Sequence, residues 1–180
     1  MHIDIERAER AVQDLLISFG LEQGLPGLKG TPAKVAAFWA ERLDGYGYDP
    51  ASDLQPISEN SEACPIILEN VPFASTCEHH LAPFSGRMAL GYAPGDLGAV
   101  GLSKLIRLAQ AFAHRLQLQE RMTRQIFDAM GAHLKPKGWG VQVVAEHTCI
   151  AHRGVKISDV PITTILLGGE WQIDPPSAFR

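Results

Sequence analysis

Apolar residues near the start of the chain recur at helical spacing. Ile5, Ala8, Val12, Leu15, Leu16 and Phe19 fall on one stripe, and Gly20 and Gly24 interrupt it. The segment GLPGLKG that follows reads as a loop. Thr31 and Pro32 have the order of a capping side chain and a proline at the first helical position, which predicts a second helix through about Leu43. The turn-rich stretch DGYGYDPASD closes this helical region. Beyond it the period changes. Cys64 to Phe73 and Gly86 to Ala93 carry strand patterning on either side of a short polar segment. Leu102, Leu105, Ile106, Ala109, Phe112, Ala113 and Leu116 then mark the apolar stripe of a helix, with Ser103, Lys104 and Arg107 off it. A further helical segment, about Gln117 to Leu134, carries Leu118, Met122, Ile126 and Met130 and ends at KPKG. WGVQVVAEHTCI reads as a valine-rich strand on which Val141, Val143, Ala145, His147 and Cys149 share one face. A last strand spans Ile162 to Gly169.

The order is helices, two strands, two helices, two strands. It predicts an α+β domain whose antiparallel sheet is covered on one face by the helical pair. A doubly wound parallel sheet does not fit, because single helices do not alternate with single strands. The change of character after the first turn-rich break divides the chain into an N-terminal helical region, 1–60, and an α+β domain, 61–180.

Composition narrows the setting. The 180 residues are 46% hydrophobic and 20% charged, which suits a globular chain with a sizeable core. A net charge of -4 argues against nucleic acid as a partner, while local basic residues remain available for a phosphorylated small molecule. The first twenty residues alternate charged and apolar groups, unlike a signal peptide, and no apolar run approaches a membrane span. Three cysteines, an odd count, make no disulfide framework. The expected compartment is a reducing cytoplasm.

Between the first two strands lies ASTCEHHLAPFSG, Ala74 to Gly86. It places Cys77, His79 and His80 within four residues, in a chain with only 3 Cys and 7 His. Thiolate and imidazole are the donors zinc prefers. One C-x-x-H is a weak signal by itself, but His147-x-Cys149 supplies a remote thiol. Cys77, His80 and Cys149 together make three protein ligands and leave one coordination position open, the pattern of a catalytic zinc site. His79 and His147 remain as imidazoles suited to proton transfer near neutral pH. Cys64, beside a proline and without such companions, reads as a packing residue.

Three segments carry a family resemblance: STCEHHLAPFSGRMALGYAP, GLSKLIRLAQAFAHRLQLQERMTRQI and EHTCIAHRGV. In this order and at these intervals they closely resemble the signature segments of GTP cyclohydrolase type I. The likeness runs from about Thr31 to Gly169 and is dense from Ser75 to Val155. It implies the tunnelling fold, a small antiparallel sheet with two helices on one side, in a toroidal homodecamer with active sites at subunit boundaries. The implied reaction converts GTP and water to 7,8-dihydroneopterin triphosphate and formate, the first step of pterin and folate biosynthesis. Water activated by zinc opens the purine at C8 before the ring recloses as a pterin.

By the same resemblance, Cys77, His80 and Cys149 are the zinc ligands, and His79 and His147 move protons. Glu120 holds the guanine edge, since a carboxylate accepts from the ring N–H and the exocyclic amine that guanine offers and adenine lacks. Gln119 and Ser103 line the nucleoside pocket. Lys104, Arg107 and Arg153 meet the triphosphate, with Lys34 of the N-terminal helix in a similar role. Taken alone, Glu120 would read as a surface partner of Arg124, four residues on. Ala37 stands where some relatives carry another basic residue, and the tail GGEWQIDPPSAFR is shorter and richer in proline than the usual ending. Two other readings compete: a same-fold enzyme acting on a related purine or pterin, and a non-catalytic homologue whose zinc is structural.

Overall fold

The computed structural model describes residues 3–21, 27–56 and 64–180. Part of the expected loop from Gly24 and the expected boundary between 60 and 61 lie outside the described residues. The first helix, α1 (Ile5–Ser18), is capped by Asp4, whose carboxylate accepts from the Arg7 N–H at 2.9 Å. It packs against α2 (Thr31–Arg42) but buries none of its own residues, and Leu15 and Phe19 of its apolar stripe are exposed. Thr31 is not the cap expected of it. It is already the first helical residue, Gly30 precedes it without a side-chain bond, and Pro32 occupies the first turn. A short 3-10 turn at Asp44–Gly47 and the single helical turn α3 (Pro50–Asp53) follow.

The sheet has the order β3-β1-β2-β4-β5. Strand β1 (Ile66–Cys77) pairs antiparallel with β2 (Pro83–Ala93), β2 with β4 (Gly138–His147), and β4 with β5 (Ile162–Gly169). The short β3 (Leu116–Gln117) lies parallel to the end of β1, pairing Thr76 with Leu116 and Cys77 with Gln117. That strand departs from the expected pattern, which gave Leu116 and Gln117 to helices. It interrupts the two helices so that the chain returns beside Cys77.

Helices α4 (Leu102–Ala113) and α5 (Gln119–Leu134) cover one face. Leu105, Leu108, Ala109, Phe112 and Ala113 are the buried stripe of α4, so the stripe begins one turn later than its pattern suggested and Leu102 is exposed. From α5, Met122, Ile126, Met130 and Leu134 meet Met88, Leu90 and Tyr92 of β2 and Val141, Val143 and Ala145 of β4. Helix α5 stops at Lys135, in a left-handed conformation directly before Pro136. The opposite face is not bare. Trp171 and Phe179 of the proline-rich tail pack against Ala89, Ile67 and Leu167.

Cys64 is exposed and precedes β1, so it is not the packing residue expected of it. The strand instead starts at Ile66 and runs four residues past its expected end at Phe73 to Cys77. Gly86 lies on β2 opposite Ala145, where a Cβ would come within 1.9 Å of the Val144 carbonyl oxygen. Gly86→Ala is therefore expected to lower stability by about 3 kcal/mol, because backbone must separate to admit the methyl. Denaturant titration of both proteins measures it, and an unchanged midpoint would contradict that contact.

Candidate metal centre and its surroundings

Cys77 ends β1, and the chain reverses over Glu78–His80 before β2 begins. The reversal is held by backbone bonds from Cys77 N–H to the Ala82 carbonyl (2.8 Å) and from Leu81 N–H to the Cys77 carbonyl (2.9 Å), with Leu81 at φ 51°. This turn brings His80 back over Cys77, with its Nδ1 3.9 Å from the Cys77 Sγ. Cys149 arrives from the other side. It does not share the strand face with His147, as alternation suggested, because β4 ends at His147 and residues Thr148–Ala151 form a helical turn, α6. The Thr148 hydroxyl donates to the Pro83 carbonyl oxygen at 2.6 Å, which pins that turn to the start of β2. The donor atoms of Cys77, His80 and Cys149 all lie within 4.8 Å of one another.

Cys77 is buried, Cys149 half-buried and His80 exposed, and no disulfide joins the thiols. Burial pushes the Cys149 thiol above its ordinary pKa, and the neighbouring Cys77 sulfur adds to the shift. A divalent cation beside Cys149 would reverse that shift, since coordination makes the thiolate favourable. The donor set fits zinc: soft sulfur twice, imidazole once, and no fourth side chain within the cluster among the described residues. His80 Nδ1 is the ring nitrogen that faces the Cys77 sulfur, while Arg153 Nη1 lies against Nε2. Ligation through Nδ1 would part that contact, because a ligating imidazole donates from Nε2 and a guanidinium cannot accept.

The remaining expected site residues divide into those near this cluster and those elsewhere. The His79 ring is exposed, 6.2 Å between centroids from that of His80. His147 stacks on Phe84 with ring centroids 4.5 Å apart and planes 5° apart, and its Nε2 lies 2.8 Å from Gln119 Oε1. Burial pulls the His147 pKa below its ordinary value, partly offset by the negative charge of Glu120. Gln119 is 2% exposed, its side chain turned to His147 and to the strands rather than outward. Glu120, one residue on, is exposed and lines a cavity of about 410 Å³ with Thr123, Arg124, Thr164, Ile165 and Leu166. The surface pairing with Arg124 does not form. Arg124 Nη1 lies 3.8 Å from Asp128, and Glu120 makes no ion pair among the described residues.

The basic residues are less gathered. Arg107 is held by Asp53 through two bonds, Nε to Oδ2 at 3.1 Å and Nη2 to Oδ1 at 2.9 Å, and Tyr48 donates to the same carboxylate at 2.9 Å. Those bonds hold the Asp53 carboxyl below its usual range, while burial and Asp53 push the Tyr48 phenol up. Lys104 Nζ points to the Gln55 carbonyl oxygen at 3.4 Å. Ser103 is exposed on the first turn of α4, and Lys34 is exposed on α2.

Sequence reasoning overlooked Glu78, although it sits inside the CEHH window. Its carboxylate pairs with Arg121, which also donates to Gln117 Oε1 (3.2 Å) and the Leu116 carbonyl oxygen (2.9 Å). The ligand turn is thus tied to β3 and to the first turn of α5, where Gln119 and Glu120 begin. Arg121 holds the Glu78 carboxyl below the ordinary carboxylate pKa. A depressed folded pKa contributes stability that is present above the unfolded pKa and lost as pH falls through the folded one. Metal-free Glu78→Gln is therefore expected to melt slightly below metal-free wild type at neutral pH, with the difference closing in acid. A difference that stays constant down to strongly acidic pH would show that this pair adds nothing.

The model of the family described as GTP cyclohydrolase I matches residues 8–178. The chain belongs to the GTP cyclohydrolase I family. Proteins named GTP cyclohydrolase 1 from Mycobacterium ulcerans (strain Agy99) and from Dehalococcoides mccartyi (strain ATCC BAA-2266 / KCTC 15142 / 195) are similar to it. The first is 41% identical over 97% of this chain and 87% of its own length, the second 40% identical over 96% and 92%. Among solved structures, the archaeosine synthase QueF-Like in the apo form aligns with 60% of this chain and 96% of its own, at 16% identity and a TM-score of 0.47. The family assignment does not draw on that last likeness. Cys77, His80 and Cys149 of this GTP cyclohydrolase I family member are the thiol and imidazole donors that converge in space. No helix among its described residues is long and apolar enough to cross a membrane.

Proposed function

We propose that this chain is a zinc-dependent GTP cyclohydrolase, converting GTP and water to 7,8-dihydroneopterin triphosphate and formate. Membership of the family supports the reaction, and one observation carries the zinc: donors from two segments some seventy residues apart lie within 4.8 Å of one another. Cys77, His80 and Cys149 would hold the ion. A zinc ion there supplies a Lewis acid that makes water nucleophilic near neutral pH. The protein's own groups do the rest. His147, neutral near pH 7 by burial, and the exposed His79 accept and return protons as the purine opens and the ribose rearranges. Glu120, which lines its cavity and makes no ion pair among the described residues, accepts from guanine N1–H and the exocyclic amine. Lys104, Arg107, Arg153 and Lys34 meet the triphosphate, Arg107 through the guanidinium nitrogen that Asp53 leaves free. Ser103 lies on the same first turn of α4 as Lys104 and serves the nucleoside pocket.

The reading extends to assembly and setting. Exposed Leu15 and Ile17 on α1, Phe19 directly after it and Ile165 on β5 support burial against further copies of the chain, in the toroidal homodecamer that the family resemblance implies. The catalytic unit is 61–180 and the helical region 1–60 its extension, in a cytoplasmic enzyme with no nucleic-acid or membrane partner. The test is incubation of metal-analysed protein with GTP, following formate and the fluorescent pterin obtained after oxidation. Equal release of both is expected. Formate without pterin would mean an enzyme that stops early or serves another product. Neither, from zinc-loaded and assembled protein, would overturn the proposal and leave a same-fold enzyme for another purine or pterin or a non-catalytic homologue.

A further inference from the structure

Gln119 is 2% exposed at the start of α5, and each of its polar atoms has a defined partner. Its Nε2 lies 3.1 Å from the Val143 carbonyl oxygen, 2.9 Å from that of Ile162 and 3.2 Å from Thr164 Oγ1. Backbone carbonyls only accept, so the nitrogen end of the amide must face them. The reversed amide would set its oxygen against two others in a buried site, at the cost of an unsatisfied polar group. The threonines agree with this direction. Thr123 Oγ1 donates to the Gln119 carbonyl oxygen at 2.8 Å, so Thr164 Oγ1, 2.7 Å away, donates to Thr123 and keeps a lone pair for Gln119.

With the nitrogen committed, Oε1 is the atom that faces His147 Nε2 at 2.8 Å. An amide oxygen cannot donate. His147 Nε2 must therefore carry a proton, and in the neutral ring the lone pair is on Nδ1. Stacking on Phe84 holds the ring in its plane, and a half-turn within it would set Cε1, not a nitrogen, against Oε1.

We propose that Gln119 is a positioning residue that fixes neutral His147 as its Nε2–H tautomer and leaves Nδ1 as the ring's one proton acceptor. Its side chain acts through His147 and does not read the nucleoside. The proposal rests on the reading of His147 as a proton-transfer group. It also explains why an amide, and not another polar side chain, stands at 119. Two strand carbonyls need a donor while one imidazole N–H needs an acceptor, and both demands come from one buried position.

The test is 15N NMR of the zinc-loaded, assembled protein labelled at histidine, with the His147 signals assigned by difference against His147→Gln. A proton on Nε2 and none on Nδ1 is expected. A proton on Nδ1 in the wild type would overturn the proposal without recourse to any variant, which matters if Gln119 variants fold poorly. Gln119→Met keeps the length of the side chain and removes both ends of the amide. It should show a mixture of tautomers, with kcat for formate release lower by about 10- to 100-fold and the GTP KM within about twofold of wild type. A pure Nε2–H tautomer in that variant would overturn the proposal, as would a raised KM with kcat retained, which would make Gln119 a substrate contact. Failure of the cyclohydrolase reading looks different: wild type would release no formate from GTP whatever its tautomer.

Discussion

Cys149→Ala protein is expected to bind zinc substoichiometrically and to release no formate from GTP, with its sheet intact. The two remaining donors, Cys77 and His80, come from a single turn, and the second sulfur reaches them only from α6. Removing an outer-sphere partner of a ligand already costs about 10- to 100-fold in affinity, so loss of a ligand itself should weaken binding by at least about 100-fold. The substitution is mild for the fold. Cys149 is half-buried on a four-residue helical turn, where alanine is well accommodated. Zinc analysis after gel filtration, circular dichroism and a formate assay separate the cases. Wild type stripped by a chelator should recover on adding zinc, and the variant should not. Full turnover by metal-free Cys149→Ala would remove the metal centre from the reaction.

Glu120→Gln should keep its zinc and lose GTP. The carboxylate offers two acceptors to two donors of the guanine edge, whereas glutamine turns one of them into an amide donor facing another donor. Hydrogen bonds to a charged group are worth about 1.5–3 kcal/mol, so KM for GTP should rise by about 10- to 150-fold. Folding should barely respond, because Glu120 is exposed and makes no ion pair among the described residues. Steady-state kinetics with metal analysis on the same preparation decides it. An unchanged KM would move guanine recognition to another residue. A loss of zinc would instead tie Glu120 to the metal centre, contrary to its place beside Thr164, Ile165 and Leu166.

Much of this was legible before any coordinates. The helical stripes of α4 and α5, a valine-rich strand opening at about Trp139 and the stop at KPKG follow from period and capping, which are properties of neighbouring residues. Cys77, His80 and Cys149 stood out as a donor set only when taken together, because zinc's preference is written in residue types, and the structure brings those donors to one place. What misled was local pattern pushed past its range. Alternation put Cys149 on the strand face of His147, but the Thr148 hydroxyl finds the Pro83 carbonyl and the chain coils into α6 instead. The resemblance marked Arg107 as a phosphate contact, and no local pattern gave a sign of Asp53, 54 residues away, that holds it. Glu78 stood in view within CEHH, yet its partner Arg121 became visible only when β3 laid Gln117 beside Cys77.

By itself the amino-acid sequence determined which side chains offer thiol and imidazole donors, which faces of the helices are apolar and which family the chain joins. Only the tertiary structure decided that the two thiols share a centre with His80, that Glu120 stands free of Arg124 and that the Gln119 amide points its oxygen at His147. The reason is one of range. Period, capping and donor type are set within a few residues, whereas the distance between Cys77 and Cys149 and the direction of a buried amide follow from strand register, which every strand of the sheet must settle together.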